Sequence, residues 1–281
     1  MKSIPKNSVL PVLQGPHCLL DIPLNPEDHG NITVDHVLKI LGDIVIALGM
    51  KRSCDPRIIF RAPGDMTIYQ IVSTSHIIMH FSPGLLHADL FSCEPFDVDA
   101  SIGVLEETFG SGGVVQYCQR NLIAESLDMP PIAMRNLNAL TSNPETLTHA
   151  MVNWYRGDAS KLGDIEHGTG IIKDAVVHIV DDIRDNPVSG VLLLDVDPIP
   201  GSWDKGGYSG GYVTLRRQLT IHTFNGINAA YTDIMGHVYD LEQIVSIIGT
   251  GLGFEYYEID GIFQRWTGLP AYNESPEERR V

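Results

Sequence analysis

Hydrophobic and polar positions along the chain switch between two periods, and the order of the switches occurs twice. Val34, Val37, Leu38, Leu41, Ile44, Val45 and Leu48 recur at three- and four-residue spacing, which predicts an amphipathic helix. Short, mostly apolar runs flank it, His17–Ile22 and Arg57–Phe60, and read as strands. The second half repeats the order. His149–Trp154 matches the first strand, a helical stretch from Ile171 to Ile183 ends at Asn186–Pro187, and Val191–Val196 is the next strand. A Pro/Gly turn then follows in both halves, at Pro63–Gly64–Asp65 and from Pro198 to Gly207. Each half goes on to a second short helix, near Ala100–Phe109 and Leu241–Ile248. A glycine turn and a closing strand end each half, at Val114–Tyr117 and Phe254–Tyr257.

The expected order in each half is β-α-β-β-β-α-β. This is an α+β fold in which two related halves form an α/β sandwich pseudo-dimer with antiparallel sheets. The halves span residues 10–125 and 146–268. A connector at 126–145 holds Pro130–Pro131 and Asn143–Pro144, and a tail at 269–281 is rich in Glu, Arg and Pro.

The middle of each half carries one motif with unequal chemistry. A hydroxyl residue stands 13 positions before a histidine in both, Thr67 before His80 and Ser209 before His222. A strand holding an aspartate follows in both, Ala88–Asp89–Leu90–Phe91 and Thr232–Asp233–Ile234–Met235. Only the first copy has a serine at the centre, Ser75, where the second has Arg217. Only the first has a cysteine after the aspartate, Cys93, where the second has His237. Complementary losses of this kind imply one working site built from both halves. Taken alone, Cys93 on an apolar strand would be a core residue.

Other motifs carry less. Gly207–Tyr208–Ser209–Gly210–Gly211 fits a nucleophile elbow in letters, but β-favouring Tyr212–Val213–Thr214–Leu215 follows where an elbow needs a helix. Gly249–Gly253 follows a helix rather than a strand and reads as a turn, not a phosphate loop. The histidines are scattered and the cysteines lack zinc-site spacing, so no metal is expected.

Composition narrows the partners. The formal net charge is −16, which opposes binding to a phosphate backbone, so nucleic acid is not an expected partner. No apolar run reaches the length of a membrane span, and no signal-like N-terminus or disulfide framework is evident. A cytoplasmic protein with a small-molecule substrate and no membrane partner is expected.

Thr74–Ser75–His76–Ile77–Ile78–Met79–His80, with Ala88–Asp89–Leu90–Phe91–Ser92–Cys93, resembles the pyruvoyl-forming region of S-adenosylmethionine decarboxylases. Gly15–Asp21, Leu219–Phe224 and Ala229–Asp233 share the resemblance, which covers most of residues 15–120 and 146–258. It fits the fused, two-half form of that family. The resemblance implies cleavage between Thr74 and Ser75, conversion of Ser75 to a self-generated pyruvoyl group, and proton donation by Cys93. It implies that Ser209 and His222 reach in from the other half to promote processing, His222 as base and Ser209 at the oxyanion. Trp203 falls where the family stacks an aromatic on adenine, and His17 and Asn225 are further candidate substrate contacts. The pyruvoyl ketone would form a Schiff base with the substrate amine and act as an electron sink.

The function implied is a self-cleaving, pyruvoyl-dependent S-adenosylmethionine decarboxylase feeding spermidine synthesis, as a monomer of two fused halves or a homodimer. Thr74 stands where the family usually has Glu, and Phe224–Asn225–Gly226 stands where it has a ribose-holding acid. Two alternatives therefore stay open. One is a pyruvoyl-dependent arginine or ornithine decarboxylase; the other is a non-catalytic, nucleoside-binding or regulatory relative.

Overall fold

The structure is a computed structural model that describes residues 12–25, 27–73, 75–123, 147–179, 190–196, 206–237 and 239–265. The expected connector at 126–145 and tail at 269–281 lie outside the described residues, as does most of the turn after Pro198.

Among the described residues the strands fall into two six-stranded sheets. The first holds β1 (Val12–Pro23), β2 (Arg57–Ala62), β3 (Asp65–Val72), β4 (Ser75–Ser82), β5 (Leu85–Phe91) and β6 (Val114–Ile123), in the order β2-β3-β4-β5-β1-β6. The second holds β7 (Leu147–Tyr155), β8 (Leu192–Val196), β9 (Gly207–Val213), β10 (Gln218–Phe224), β11 (Ala229–Gly236) and β12 (Tyr256–Arg265), in the order β12-β7-β11-β10-β9-β8. Every pairing is antiparallel. The helices are α1 (Val34–Ala47), α2 (Val98–Phe109), α3 (Ile165–Val176) and α4 (Leu241–Leu252), with a one-turn helix at Ala159–Leu162. The α+β class and the antiparallel sheets are as expected.

Two details differ. Each half has four strands between its helices rather than three, because the motif folds back on itself as a hairpin, β3–β4 and β9–β10. And α3 starts at Ile165 rather than near Ile171, on an Asp164 cap whose side chain accepts from the His167 N–H. Gly168 and Gly170 weaken the helical pattern there. Gly168 has a packing reason: a Cβ would lie 2.5 Å from the Tyr208 ring. The other three helices start on Thr33, Asp97 and Asp240 in the same way.

The helices cover the outer face of each sheet. Val37, Leu41 and Ile44 of α1 pack with Leu20, Ile77, Met79 and Phe81 of the first sheet. Ile172 of α3 and Ile244, Val245 and Ile248 of α4 pack with Val152, Trp154, Leu219 and Ile234 of the second. Each such fully buried side chain contributes about 1.5–3 kcal/mol. Strand alternation then turns the other set of side chains inward, between the sheets. Along β4, Ile77, Met79 and Phe81 belong to the outer core, while Ile78 meets Val213 and Leu215 of the second sheet. At the opposite end of this layer Phe91 meets Phe224 and Tyr231. The result is four layers, α/β/β/α. Among the described residues no helix is long and apolar enough to cross a membrane.

Between these two apolar contacts the inner layer is polar, and two arginines tie it. Arg120 of β6 is fully buried and crosses to the second sheet, where it pairs with Asp233. It also donates to Asn153 Oδ1 at 3.0 Å and to the carbonyls of Val152 at 2.8 Å and Thr232 at 3.3 Å. Arg265 of β12 crosses the other way. It donates to Asp21 Oδ1 at 2.7 Å and to the carbonyls of Leu20 at 2.9 Å and Ala88 at 3.2 Å. Asp21 stands opposite His87 in the first sheet as Asn153 stands opposite Tyr231 in the second, so the two arginines occupy equivalent places.

Removing one partner of a buried ion pair strands the other charge away from water, at about 3–5 kcal/mol. Arg120→Met should lower the unfolding free energy by about that amount in chemical denaturation. The exposed α2 substitution Glu107→Gln should stay within about 0.5 kcal/mol of the parent.

Candidate active site

The 13-residue spacing in the sequence is a hairpin register. Thr67 of β3 faces His80 of β4, and Ser209 of β9 faces His222 of β10. The β3–β4 connection is Ser73 and Thr74; Thr74 lies outside the described residues. Ser73 takes the left-handed φ of 51° that a tight hairpin demands, and its N–H donates to Ser53 Oγ at 2.7 Å. Ser75, the first residue of β4, is 2% exposed. The Cys93 N–H donates to Ser75 Oγ at 3.1 Å, so the expected precursor and the expected proton donor are brought together. Cys93 packs with Phe91, Phe224 and Tyr231, residues of both sheets.

Ser209 sits within β9 rather than in a turn. Its glycines serve strand packing: a Cβ on Gly210 would lie 2.0 Å from the Leu192 carbonyl, and one on Gly211 would lie 2.1 Å from that of Leu219. This keeps Ser209 fully buried opposite His222. His222 Nε2 meets His76 Nδ1 at 2.8 Å, with the rings stacked. The residue after Ser75 therefore carries a contact between the halves. No hydrogen bond joins Ser75 itself to Ser209 or His222; His76 stands at that junction.

The two copies differ in how their polar atoms are satisfied. In the first, Thr67 Oγ1 donates to the Leu215 carbonyl at 2.9 Å and lies 2.9 Å from His80 Nδ1, while His80 Nε2 lies 3.1 Å from Gln218 Oε1. In the second, Ser209 Oγ and His222 Nδ1 are buried with no hydrogen-bond partner. An unmade buried hydrogen bond costs about 1–3 kcal/mol, which a fold tolerates where the group is wanted for chemistry.

Asp89 links the two places. Its Oδ1 holds His17 Nε2 at 2.6 Å, and its Oδ2 accepts from Gln218 Nε2 and lies 3.3 Å from His76 Nε2. A continuous polar chain thus runs His80–Gln218–Asp89–His76–His222. Burial raises the Asp89 carboxyl, but the charges and hydrogen bonds of His17 and His76 outweigh it and hold the group well below the usual carboxylate range. Burial, then the charges of His76 and Arg120, keep His222 well below the ordinary histidine value, hence neutral.

Comparison with known proteins bears on this arrangement. Residues 31–121 match the family model of S-adenosylmethionine decarboxylase. That match takes in about a third of the chain. Among solved structures, an adenosylmethionine decarboxylase from Aquifex aeolicus is 16% identical, with a TM-score of 0.35, over 46% of this chain and 98% of its own. A protein of unknown function from Galdieria sulphuraria is 9% identical over 90% of this chain and 99% of its own, with a TM-score of 0.20. A glycine cleavage system transcriptional repressor, so described provisionally, is 11% identical over 90% and 98%, again with a TM-score of 0.20. No curated protein matches the chain.

The family match covers β2 to β5 and so includes Ser75 and Cys93. Of the other residues expected from this decarboxylase family, Trp203 lies outside the described residues. His17 is fully buried and committed to Asp89, a place that orients the carboxylate. Asn225 is in the β10–β11 turn, its Oδ1 buried without a hydrogen-bond partner. Two overlapping ligand sets that spacing did not reveal, His17–His76–Asp89 and His17–His149–Asp233, each place three atoms within 4.8 Å of one another. Their carboxylates already serve His17, Gln218 and Arg120, so we read them as a hydrogen-bonded layer. His76, Gln218 and Arg120 were not anticipated. Only the fold brings them together, from β4, β10 and β6.

Acid should unlock this layer. Burial is the largest influence on His80 and holds it down at about 4, against 6.5 for a free histidine. Between those values the unfolded chain binds a proton that the folded chain does not, so stability is full above about 6.5 and falls as the pH drops toward 4. His222 and His149, also lowered by burial, act in the same direction. Burial raises the Asp21 carboxyl, but the hydrogen bond from His87 and the charge of Arg265 bring it to about 2, which extends the loss below 3.8. Thermal midpoints should fall steadily from near pH 6.5 to 4; a flat profile would contradict the burial of neutral histidines.

Proposed function

We propose that the chain is a self-processing, pyruvoyl-dependent decarboxylase acting on S-adenosylmethionine and feeding spermidine synthesis. The family match supports decarboxylase chemistry. The observation that carries the finer reading is the contrast between copies. Ser209 and His222 are buried and unsatisfied on the side of Ser75 and Cys93, whereas Thr67 and His80 are fully bonded on the side of Arg217 and His237.

In processing, Ser75 Oγ attacks the Thr74 carbonyl carbon, and the peptide C–N bond breaks to leave an ester. Elimination across the Ser75 Cα–Cβ bond frees the Thr74 carboxylate, and hydrolysis of the resulting imine releases ammonia. Ser75 fits the role, being buried at the head of a strand with its hydroxyl already held by the Cys93 N–H. In this reading neutral His222, in contact with His76, takes up a proton and Ser209 donates to the oxyanion. Once formed, the pyruvoyl group supplies an electron sink for loss of CO₂. Cys93 returns the proton to the decarboxylated carbon, and the apolar wall of Phe91, Phe224 and Tyr231 keeps bulk water away. Asn225 Oδ1 has a free acceptor for a substrate hydroxyl, and Trp203 is the proposed adenine stack. Neither half has an acid after its motif strand, Ser82–Pro83–Gly84 and Phe224–Asn225–Gly226. That favours a basic amino acid as the second reading of the substrate.

Intact mass of freshly purified protein should show two chains, 1–74 and 75–281, the larger trapped by a carbonyl reagent. A single uncut chain would overturn the proposal in favour of a non-catalytic relative. Ser75→Ala should stay uncut and release no CO₂. His222→Ala or Ser209→Ala should slow cleavage by about 10²-fold or more. Cys93→Ala should still be cut but lose decarboxylation. Radiolabelled CO₂ from S-adenosylmethionine, arginine and ornithine in parallel decides the substrate.

A further inference from the structure

The relation between the halves defines a second place equivalent to the one at Ser75, and a cavity lies there. His80 faces His87 across β4 and β5 as His222 faces Tyr231 across β10 and β11. Around His80 the second half supplies the Leu215–Arg216 turn and His237, which stands where the first half has Cys93. The cavity measures about 300 Å³, the lower end of the range for metabolite pockets.

Its walls lack the groups for processing and hold groups for anions. His80, Ser82, His87, Arg216 and His237 line the polar part, and three leucines the apolar part. Among the described residues no acidic side chain lines it, in a chain whose net charge is −16. Arg216 is exposed at the mouth, and its planar fork suits a carboxylate or phosphate. His87 Nδ1 lies 2.8 Å from Asp21 Oδ1, which fixes the ring and leaves Nε2 as its nitrogen for a ligand. Both nitrogens of His80 are engaged, at Thr67 and Gln218, so it forms a wall.

We propose that this cavity between the halves is a binding site for a small organic anion, a carboxylate or a phosphate ester, separate from the Ser75 site. Leucines beside the cationic mouth favour an anion with a short apolar portion over a bare ion. The inference rests on the cavity and its register, and stands whether or not Ser75 is processed.

Calorimetric titration of the full-length chain with inorganic phosphate, and separately with succinate, tests it. One saturable site per chain is expected for at least one probe. Arg216→Gln should weaken it about 10-fold or more, the loss of a charge-assisted bidentate contact, at an unchanged thermal midpoint. His237→Gln should weaken it as well. Ser75→Ala should bind like the parent. Binding of phosphate alone assigns a phosphate ester, and binding of succinate alone a carboxylate. The proposal is overturned by no saturable binding of either probe, by affinity unchanged in both Arg216→Gln and His237→Gln, or by loss of binding in Ser75→Ala.

Discussion

Each half of this chain sends an arginine from its closing strand into the other half, and the rest of the structure is organised around that exchange. Arg120 and Arg265 satisfy carboxylates and backbone carbonyls of the opposite sheet. A buried charge of this kind tolerates little displacement, so the pairs act on register more than on net stability. With the sheets locked, β4 and β10 are held face to face, and His76 is brought within 2.8 Å of His222. An apolar inner layer would have bound the sheets as tightly while allowing them to slide.

That fixed register makes the two equivalent places comparable residue by residue. They share Asp89 and Asp233 on matching strands, yet their polar atoms are satisfied differently. One histidine–hydroxyl pair is absorbed into the network, at Leu215 and Gln218; the other keeps unmade bonds. Fusion of two halves permits this division, since each copy can lose what the other supplies. The polar chain from His80 through Gln218 and Asp89 to His222 leaves the two places physically joined.

Much of the fold was legible because the repeat doubled every signal. The helix at Val34–Ala47 and the strands around His17 and Arg57 follow from period alone, and the antiparallel class from the order of elements. The 13-residue spacing held the register of the hairpins, although its meaning as a two-strand pairing needed the structure. The start of α3 was obscured by Gly168, a residue present for the Tyr208 ring rather than for the helix. The hydroxyl–histidine pairs were legible where both partners lie on one hairpin, Thr67 with His80 and Ser209 with His222. The site was illegible where strands from opposite halves meet. Nothing in the letters around Arg120 or Arg265 says that each ends beside a carboxylate more than a hundred residues away.

The placement of Arg265 has a consequence for how the protein is made. Asp21 is laid down early on the ribosome, on the strand next to the centre of the first sheet, and its guanidinium partner is among the last residues of the second sheet to emerge. Through most of synthesis the first half therefore holds Asp21 beside His87 but without the Arg265 guanidinium, and that face stays exposed. Final closure is thus timed by β12, and a ribosome paused before it would hold a nascent chain with secondary structure but an open seam.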